Sequence, residues 1–376
     1  EIRGVFPSKS GEENARKYII GLLSGAERKN GWQLAEVAGE KTPYALQQFL
    51  YRGRWDANRL RDKAREYVVE TIGSPEGVLV VDETGFLKQG KKSCGVKRQY
   101  SGTAGRIENC QVGVFITYAS DRGHTMIDRA LYLPQEWIED KARRKASGIP
   151  EEVVFQTKPQ MALSMLKRAQ EADIPFRWVT GDSVYGDFRG IRQWCETVGK
   201  SYVLSVSGKE TLWIGYRQYR VGKLLEQLNP ENWQEASCGD GSKGARVYDW
   251  QLMRINTPPV EGYARHLLVR KSKSSGKLRA YVCFAPADTP ALKLIETAGT
   301  RWTVEDSFAE TKSQVGLDQY EVRSYDGWYK HITLACVAHA LLTHISSITS
   351  NGGSFQRYDP ANSSLEAFKR GRGLHV

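Results

Sequence analysis

The sequence lacks an uninterrupted apolar run of about 18 residues, the length at which a membrane-spanning helix is normally recognised. It also shows no secretory leader, so neither a membrane partner nor export is expected. The six cysteines are scattered, with no C-x-x-C pair and no histidine partner at zinc spacing. We therefore expect reduced thiols in a cytoplasmic protein, without a disulfide framework or a zinc site.

Negative charge is the scarcer sign in this chain. Lys and Arg together number 54 against 43 Asp and Glu, which gives a formal net charge of +11. Such an excess favours a polyanionic partner without saying which polyanion it is. The 376 residues are enough for one large hydrophobic core or two to three modest ones, which argues against a simple basic tail.

The N-terminal part, residues 1–75, has the apolar spacing of helices. One helix is predicted to begin after Thr42, which can cap it, with Pro43 at the first helical position. Arg52 and Arg54 follow that helix. Helix, short turn and helix, with basic and aromatic residues around the second, predict a helix-turn-helix-like DNA-binding domain. A plain helical bundle with a solvated basic face is the alternative.

After residue 77 the pattern changes to short apolar strands. Three strands separated by turn signals are followed by alternating helices and strands. This order predicts an α/β fold of the RNase H-like kind, a mixed sheet with flanking helices. We assign the chain beyond the helical part as follows: 76–207 and 263–350 form the two parts of this core, 208–262 a β-rich insertion subdomain, and 351–376 a polar C-terminal tail.

Three carboxylates stand out for their place in this predicted layout. Asp82 and Asp182 each follow a short apolar run and are expected at strand ends. Glu305 shares one helical stripe with Arg301 and Lys312, at steps of four and seven residues. Three acids from two strands and a helix, in a basic chain, predict two-metal chemistry on nucleic acid. Taken singly, each acid could equally be a cap or a solvated charge.

Three segments resemble a known family. The stretches VVDETGF, VTGDSVYGD and RWTVEDSFAETK are similar to the three acidic motifs of bacterial insertion-sequence transposases of the DDE superfamily. The resemblance extends from residue 77 to 345. Its last motif is similar to the Y-x2-R-x3-E-x6-K signature of one large branch, and Arg301, Glu305 and Lys312 fit that signature. Ala298 stands where the signature Tyr would fall, so the phosphate contact of that Tyr is absent or made by another group.

The resemblance implies an RNase H-like transposase that cleaves transposon ends and joins them to target DNA. It implies that Asp82, Asp182 and Glu305 are catalytic and bind two Mg²⁺ or Mn²⁺ ions, while Arg301 and Lys312 contact the DNA backbone. The implied partners are double-stranded DNA, as terminal inverted repeats and as target, and a second copy in a DNA-bound homodimer associated with the nucleoid. The alternatives are a domesticated, non-catalytic DNA-binding protein and a metal-dependent nuclease without strand transfer.

Two further groups of residues are candidates for DNA contact. A basic segment beside the first acid is expected to follow a DNA strand, with a solvated loop as the alternative. Its residues are Lys88, Lys91, Lys92, Lys97 and Arg98. In relatives of this kind, a Trp of the insertion can stack on a base flipped out near the transposon end. Trp213, Trp233 and Trp250 are the candidates, although a place in the subdomain core is the commoner role of such residues.

Overall fold

The structure is a computed structural model that describes residues 2–241, 244–258 and 260–350. The predicted polar tail at 351–376 therefore lies outside the described residues. Within the described ranges, a mixed sheet of ten strands forms the centre and helices flank it. The predicted α/β class is confirmed at this level.

Four helices precede the first strand, and polar caps explain where three of them begin. The helices are α1 (Lys9–Leu23), α2 (Gly31–Val37), α3 (Tyr44–Tyr51) and α4 (Ala57–Ile72). Ser8, Asn30 and Asp56 accept backbone N–H groups at the first turns of α1, α2 and α4. Helix α3 begins at Tyr44, one residue later than predicted, and Pro43 instead of Thr42 holds the N-cap position, without a side-chain hydrogen bond.

The first four strands form an antiparallel group around a long central strand. They are β1 (Val78–Leu87), β2 (Lys97–Ser101), β3 (Arg106–Ser120) and β4 (Gly123–Tyr132). Strand β3 pairs with β1 along one edge and with β2 and β4 along the other. Because β1 alternates between the two sides of the sheet, Val80 packs into one hydrophobic core and Leu79 into the other.

Helices and parallel strands alternate in the next part of the chain. The elements are α5 (Gln135–Glu139), α6 (Lys141–Ser147), α7 (Lys158–Glu171), β5 (Trp178–Gly181), α8 (Ser183–Gly186), α9 (Arg189–Thr197) and β6 (Ser201–Val206). A capping box between Thr157 and Gln160 begins α7. Strand β5 runs parallel to both β1 and β6, so the spatial order is β4–β3–β1–β5–β6.

The sheet continues past β6 with strands from the later part of the chain. The elements are β7 (Thr211–Ile214), β8 (Arg217–Arg220), α10 (Val221–Glu226), β9 (Gln234–Gly241), β10 (Gly244–Ile255), β11 (Tyr263–Lys271) and β12 (Leu278–Pro286). Strand β12 pairs with β6, and β11, β10 and β9 follow in that order. Two strands of the predicted insertion, β9 and β10, are thus hydrogen-bonded into the central sheet, while β7 and β8 form a separate hairpin.

Three helices complete the described chain, and the last one is central to the core. They are α11 (Ala291–Thr300), α12 (Trp302–Val315) and α13 (Tyr325–Ser350). By length and composition α13 could cross a membrane, but half of its apolar window is buried against the rest of the protein. Its buried His331 bonds the Tyr18 hydroxyl of α1, and its Lys330 donates to the Gly53 carbonyl. We therefore interpret α13 as a core helix.

The N-terminal helices share their hydrophobic core with the sheet. Leu34, Phe49 and Leu60 belong to the same buried cluster as Trp328 of α13 and Val80 of β1. Each fully buried side chain of this kind contributes about 1.5–3 kcal/mol to stability. The predicted helical domain is consequently packed directly on the central sheet and α13.

Candidate active site

The two predicted aspartates lie on neighbouring strands. Strands β1 and β5 are parallel, and Val81 pairs with Gly181, so Asp82 and Asp182 occupy the next position on each strand. Neighbouring strands are about 4.8 Å apart, which makes these carboxylates close neighbours. Asp182 directly follows the end of β5, as predicted. The prediction that Asp82 lies at a strand end is wrong, because β1 continues to Leu87 through its pairing with β3.

Arg301 joins the third acid to this pair. Arg301 lies between α11 and α12, and Glu305 lies in the first turn of α12. The Arg301 Nη2 donates to Glu305 Oε1 at 2.8 Å, and Nη1 lies 3.7 Å from Asp82 Oδ2. Burial and the Glu83 charge raise the pKa of Asp182, and the same guanidinium opposes that rise. The structure therefore brings the three predicted acids together around one arginine.

The pKa values of both aspartates are raised. Burial raises the pKa of Asp82 to about 8, with further increases from the charges of Asp182 and Glu83. The Glu83 backbone N–H and Arg301 oppose that rise without cancelling it. Burial is the main cause that raises the pKa of Asp182, and the charge of Glu83 raises it further. The one guanidinium beside these two carboxyls therefore does not offset their burial and the neighbouring carboxylates.

A hard divalent cation fits this arrangement in part. Carboxylate oxygens are its preferred ligands, and a cation would favour the ionised form of two acids whose pKa values are raised. Glu305 is 52% exposed and is turned toward Arg301. No three His, Cys, Asp or Glu side chains of the described ranges already stand as a metal-ligand group. Asp82 and Asp182 are thus ready donors, whereas Glu305 must first leave Arg301.

Glu83 belongs to a separate network behind the aspartates. As expected from strand alternation, it points to the face opposite Asp82. Its carboxylate accepts hydrogen bonds from Lys158 Nζ, at 2.7 Å, and from the Tyr185 hydroxyl. Tyr185 is fully buried. Nothing in the spacing of the sequence indicated that Tyr185 and Lys158 would join Glu83.

Lys312 is bound to the protein in this structure. Its Nζ donates to Thr84 Oγ1 at 2.7 Å, to Thr103 Oγ1 at 2.9 Å and to the Gly85 carbonyl at 3.3 Å. These bonds tie α12 to β1, close to Asp82. The predicted contact of Lys312 with the DNA backbone stays a prediction, since it requires the lysine to exchange one of these partners.

The basic segment after β1 divides into two parts. Lys91, Lys92 and Arg98 are exposed, and Lys97 is also exposed but forms an ion pair with Glu136 at 2.6 Å. Lys88 departs from the prediction of a strand-following surface residue. Its Nζ lies 3.5 Å from the centre of the Tyr320 ring, and burial lowers its pKa to about 8. The exposed Arg52 and Arg54 follow α3, as the sequence predicted.

The candidate base-stacking tryptophans have different surroundings. Trp250 is 2% exposed and its Nε1 donates to the Ala236 carbonyl, so the structure assigns it to the core instead of a DNA surface. Trp213 is 53% exposed on β7, and Trp233 is partly buried beside Lys271. Trp302 was not among the residues predicted from the sequence, although its position directly after Arg301 could have indicated that it lies near the acids.

Comparison with known proteins identifies a matching family. The family model described as DDE superfamily endonuclease matches residues 2–254 of the 376. That stretch contains Asp82 and Asp182 but ends before Glu305.

Two individual proteins are also similar to this chain. A Microchaete diplosiphon protein, named "Probable transposase for insertion sequence element IS701", is 24% identical over 332 residues, which cover 86% of this chain and 80% of the relative. The solved structure of a piggyBac transposase synaptic complex with hairpin DNA is 12% identical, with a TM-score of 0.45. That match covers 93% of this chain and 68% of the other.

Proposed function

Because this chain belongs to the DDE superfamily of endonucleases, we propose that it is a DNA transposase of an insertion sequence. In this proposal it cleaves the ends of a transposon and joins them to target DNA. The observation that carries the proposal is the convergence of Asp82, Asp182 and Glu305 around Arg301, next to a deficit of positive charge. The transposase name of the Microchaete relative supports it.

We propose an RNase H-like core for this enzyme. The support is the order β4–β3–β1–β5–β6, in which an antiparallel group of strands is followed by two parallel strands that alternate with helices. Hydrophobic side chains on the two faces of β1 pack into separate cores, so helices cover both sides of the sheet. Asp82 and Asp182 lie at the junction of the antiparallel and parallel parts.

In the proposed mechanism Asp82, Asp182 and Glu305 are the residues that would hold two Mg²⁺ or Mn²⁺ ions. Bound in this way, the ions would activate the attacking oxygen and stabilise the leaving oxygen of an in-line displacement at phosphorus. Asp82 must give up its proton to act as a ligand, and Glu305 must part from Arg301. Arg301 is then free to contact a phosphate of the DNA. No covalent protein–DNA intermediate is needed.

The proposed partners are double-stranded DNA and a second copy of the chain in a DNA-bound homodimer. The net charge of +11 favours DNA, and the exposed Arg52, Arg54, Lys91, Lys92 and Arg98 are the proposed backbone contacts. The proposed DNA-binding surface of the N-terminal helices includes the residues after α3. Such a protein would act in the cytoplasm, at the nucleoid.

A cleavage and joining assay tests the proposal. The substrate is a duplex that carries the inverted repeats flanking the gene, incubated with Mg²⁺ and a target plasmid. We expect nicked ends and joined products from the wild type and neither from Asp82→Asn. Cleavage without joined products would indicate a nuclease, and sequence-specific binding without cleavage would indicate a non-catalytic DNA-binding protein. Either of these outcomes would contradict the proposed function.

A further inference from the structure

A second arginine lies on the side of the sheet that Asp82 faces, against the residue that follows Arg301. Arg270 of β11 pairs across the strands with Trp250 of β10 and Arg279 of β12. Trp250 belongs to the hydrophobic core on the Val80 side of the sheet, which is the side that Asp82 faces. The Arg270 guanidinium lies 4.3 Å from the centre of the Tyr248 ring and 5.0 Å from the centre of the Trp302 ring. Trp302 directly follows Arg301 in the chain.

The Arg270 guanidinium is not satisfied by the protein. Its Nε and Nη1 atoms are buried, and neither has a hydrogen-bond partner among the described residues. Buried N–H groups without an acceptor are destabilising, and those of a charged group more so than others. Contact with two aromatic rings compensates only in part, since a ring face accepts no linear hydrogen bond. The free donors therefore indicate an acceptor that arrives from outside the protein.

The surroundings of Arg270 are strongly cationic. Burial raises the pKa of Tyr281, and Arg270, Arg279 and Arg301 all oppose that rise, so three guanidinium groups lie around one phenol. Within the part of the chain that the structure describes, neither Arg270 nor Arg279 forms an ion pair with a carboxylate. Arg246, 4.9 Å from the Trp302 ring centre, has Asp306 at 3.9 Å. Arg270 and Arg279 are therefore the two members of this cluster whose positive charge no carboxylate of the described residues offsets by an ion pair.

We propose that Arg270, packed beside the rings of Tyr248 and Trp302, binds a phosphate of the DNA strand that enters the active site. This inference rests on the proposed function, because it extends the substrate path from the acids onto β11. A guanidinium donates two parallel hydrogen bonds to a phosphate from its Nε–Nη2 edge or its Nη1–Nη2 edge, so a bound phosphate would satisfy one of the two buried donors. The phosphate also brings the negative charge that this cluster lacks.

The ring geometry favours a phosphate over a nucleobase at this position. The Tyr248 and Trp302 rings are parallel to within 2°, with centres 6.1 Å apart. A base between them would need two contacts of about 3.5 Å each, which is more than this separation. The rings therefore hold the guanidinium in place, and the guanidinium binds the ligand.

The first test measures DNA affinity without cleavage. The full chain, in EDTA, is titrated with a duplex carrying the inverted repeat that flanks the gene. We expect Arg270→Met to weaken binding about tenfold at low salt and to reduce the slope of log affinity against log salt by about one. The matched control is Arg254→Met, an exposed arginine on β10 opposite His266, about 13 Å along β11 from Arg270. Equal losses in the two variants would contradict a dedicated site.

A second test locates the phosphate. Single phosphates of the duplex are replaced by neutral methylphosphonates, one position at a time. For the wild type, we expect one position near the cleavage site whose replacement weakens binding. Arg270→Met should be insensitive to replacement at that position and keep its sensitivity elsewhere, whereas Arg254→Met should behave like the wild type. If Arg270→Met retains the complete wild-type pattern, Arg270 does not bind a phosphate.

Thermal unfolding separates binding from a structural role. Because the Arg270 donors lack partners, Arg270→Met should have a melting temperature equal to or above that of the wild type in the absence of DNA. A melting temperature several degrees lower, with a matching loss of DNA binding, would show that Arg270 only supports the fold. The proposed function can fail separately: a wild type that binds the duplex but does not cleave it with Mg²⁺ contradicts catalysis and leaves the phosphate site intact.

Discussion

Asp82 and Asp128 are both aspartates of the central sheet, the first partly buried and the second fully buried, and the protein balances their charges in opposite ways. On β3, Phe115 pairs with Asp82 of β1, and the next residue, Ile116, pairs with Asp128 of β4. Asp82 has one arginine nearby, at 3.7 Å. Asp128 has four: Arg65 and Arg168, which donate hydrogen bonds to it, and Arg61 and Arg129, each at 3.7 Å.

The difference appears in the pKa values of the two carboxyls. Burial acts to raise both. At Asp128 the arginines, Arg65 and Arg168 foremost, outweigh burial and hold the pKa below its ordinary value. At Asp82 the charges of Asp182 and Glu83 add to burial, and the pKa rises to about 8. The fold can therefore neutralise a buried aspartate with its own side chains. It does not do so at Asp82, where we propose that a divalent cation binds.

The largest expected effect is on catalysis. Asp82→Asn should reduce Mg²⁺-dependent DNA cleavage by about 10³-fold or more, because metal-held charge stabilisation amounts to several kcal/mol in the transition state. The stability of the metal-free protein should not fall, since the substitution removes a destabilised acid. Single-turnover cleavage and thermal unfolding measure the two effects. Substantial cleavage by the variant would contradict the assignment of Asp82.

The second-largest expected effect is a loss of stability, and we expect it for the substitution of Asp128 but not for that of Asp82. Asp128→Asn should reduce the free energy of unfolding by about 3–5 kcal/mol, because buried arginines lose their counter-charge. Urea denaturation measures this change. Asp121→Asn, in the exposed turn between β3 and β4, is the matched control and should change stability by less than about 0.5 kcal/mol. Similar losses for the two variants would show that the Asp128 cluster does not stabilise the fold.

The pH dependence of stability should have opposite signs for the two aspartates. The folded pKa of Asp82 is raised, so its contribution is complete below the unfolded value of about 4 and is lost as the pH rises toward 8. The folded pKa of Asp128 is lowered, so its contribution is present above about 4 and is lost as the pH falls through the folded value.

The expected pH dependence for Asp82 is measured from the free energies of unfolding in EDTA between pH 4 and 8. The wild type should lose stability relative to Asp82→Asn as the pH rises, by up to about 1.4 kcal/mol per pH unit. A constant difference between the two proteins over this range would mean that Asp82 has an ordinary pKa.

The smallest expected effect is the stabilisation by metal. Mg²⁺ at about a hundredfold excess over its dissociation constant should stabilise the wild type by about 2.7 kcal/mol. At a fixed Mg²⁺ concentration the shift in melting temperature should be larger at pH 8 than at pH 6, because the cation must displace the Asp82 proton. Asp128 variants should retain this shift and Asp82→Asn should lose it. Equal shifts in wild type and Asp82→Asn would place the metal elsewhere.

Much of the fold could be predicted from local patterns. Apolar runs predicted β1, β5 and β6, and helical spacing predicted α7 and α12, because side-chain periodicity and caps are properties of short segments. The resemblance to the DDE superfamily is confirmed by the family match.

Pairing between distant segments could not be predicted in the same way. Strands β9 and β10 join the central sheet by pairing through β11 and β12, and this decided that Trp250 is a core residue. Lys88 belongs to a basic run in the sequence, yet the Tyr320 ring, far along the chain, covers its ammonium group. The packing of Trp302 and Tyr248 against Arg270 likewise depends on contacts between distant segments of the chain.

The sequence by itself determined which acids are candidates for chemistry, because Asp82 and Asp182 each follow a short apolar run and Glu305 keeps its spacing to Arg301 and Lys312. Only the tertiary structure decided how their charges are balanced. Electrostatic energy depends on distance in space and on burial, and neither quantity follows from order along the chain. That is why the buried Asp128 is surrounded by arginines while the partly buried Asp82 has a single arginine nearby.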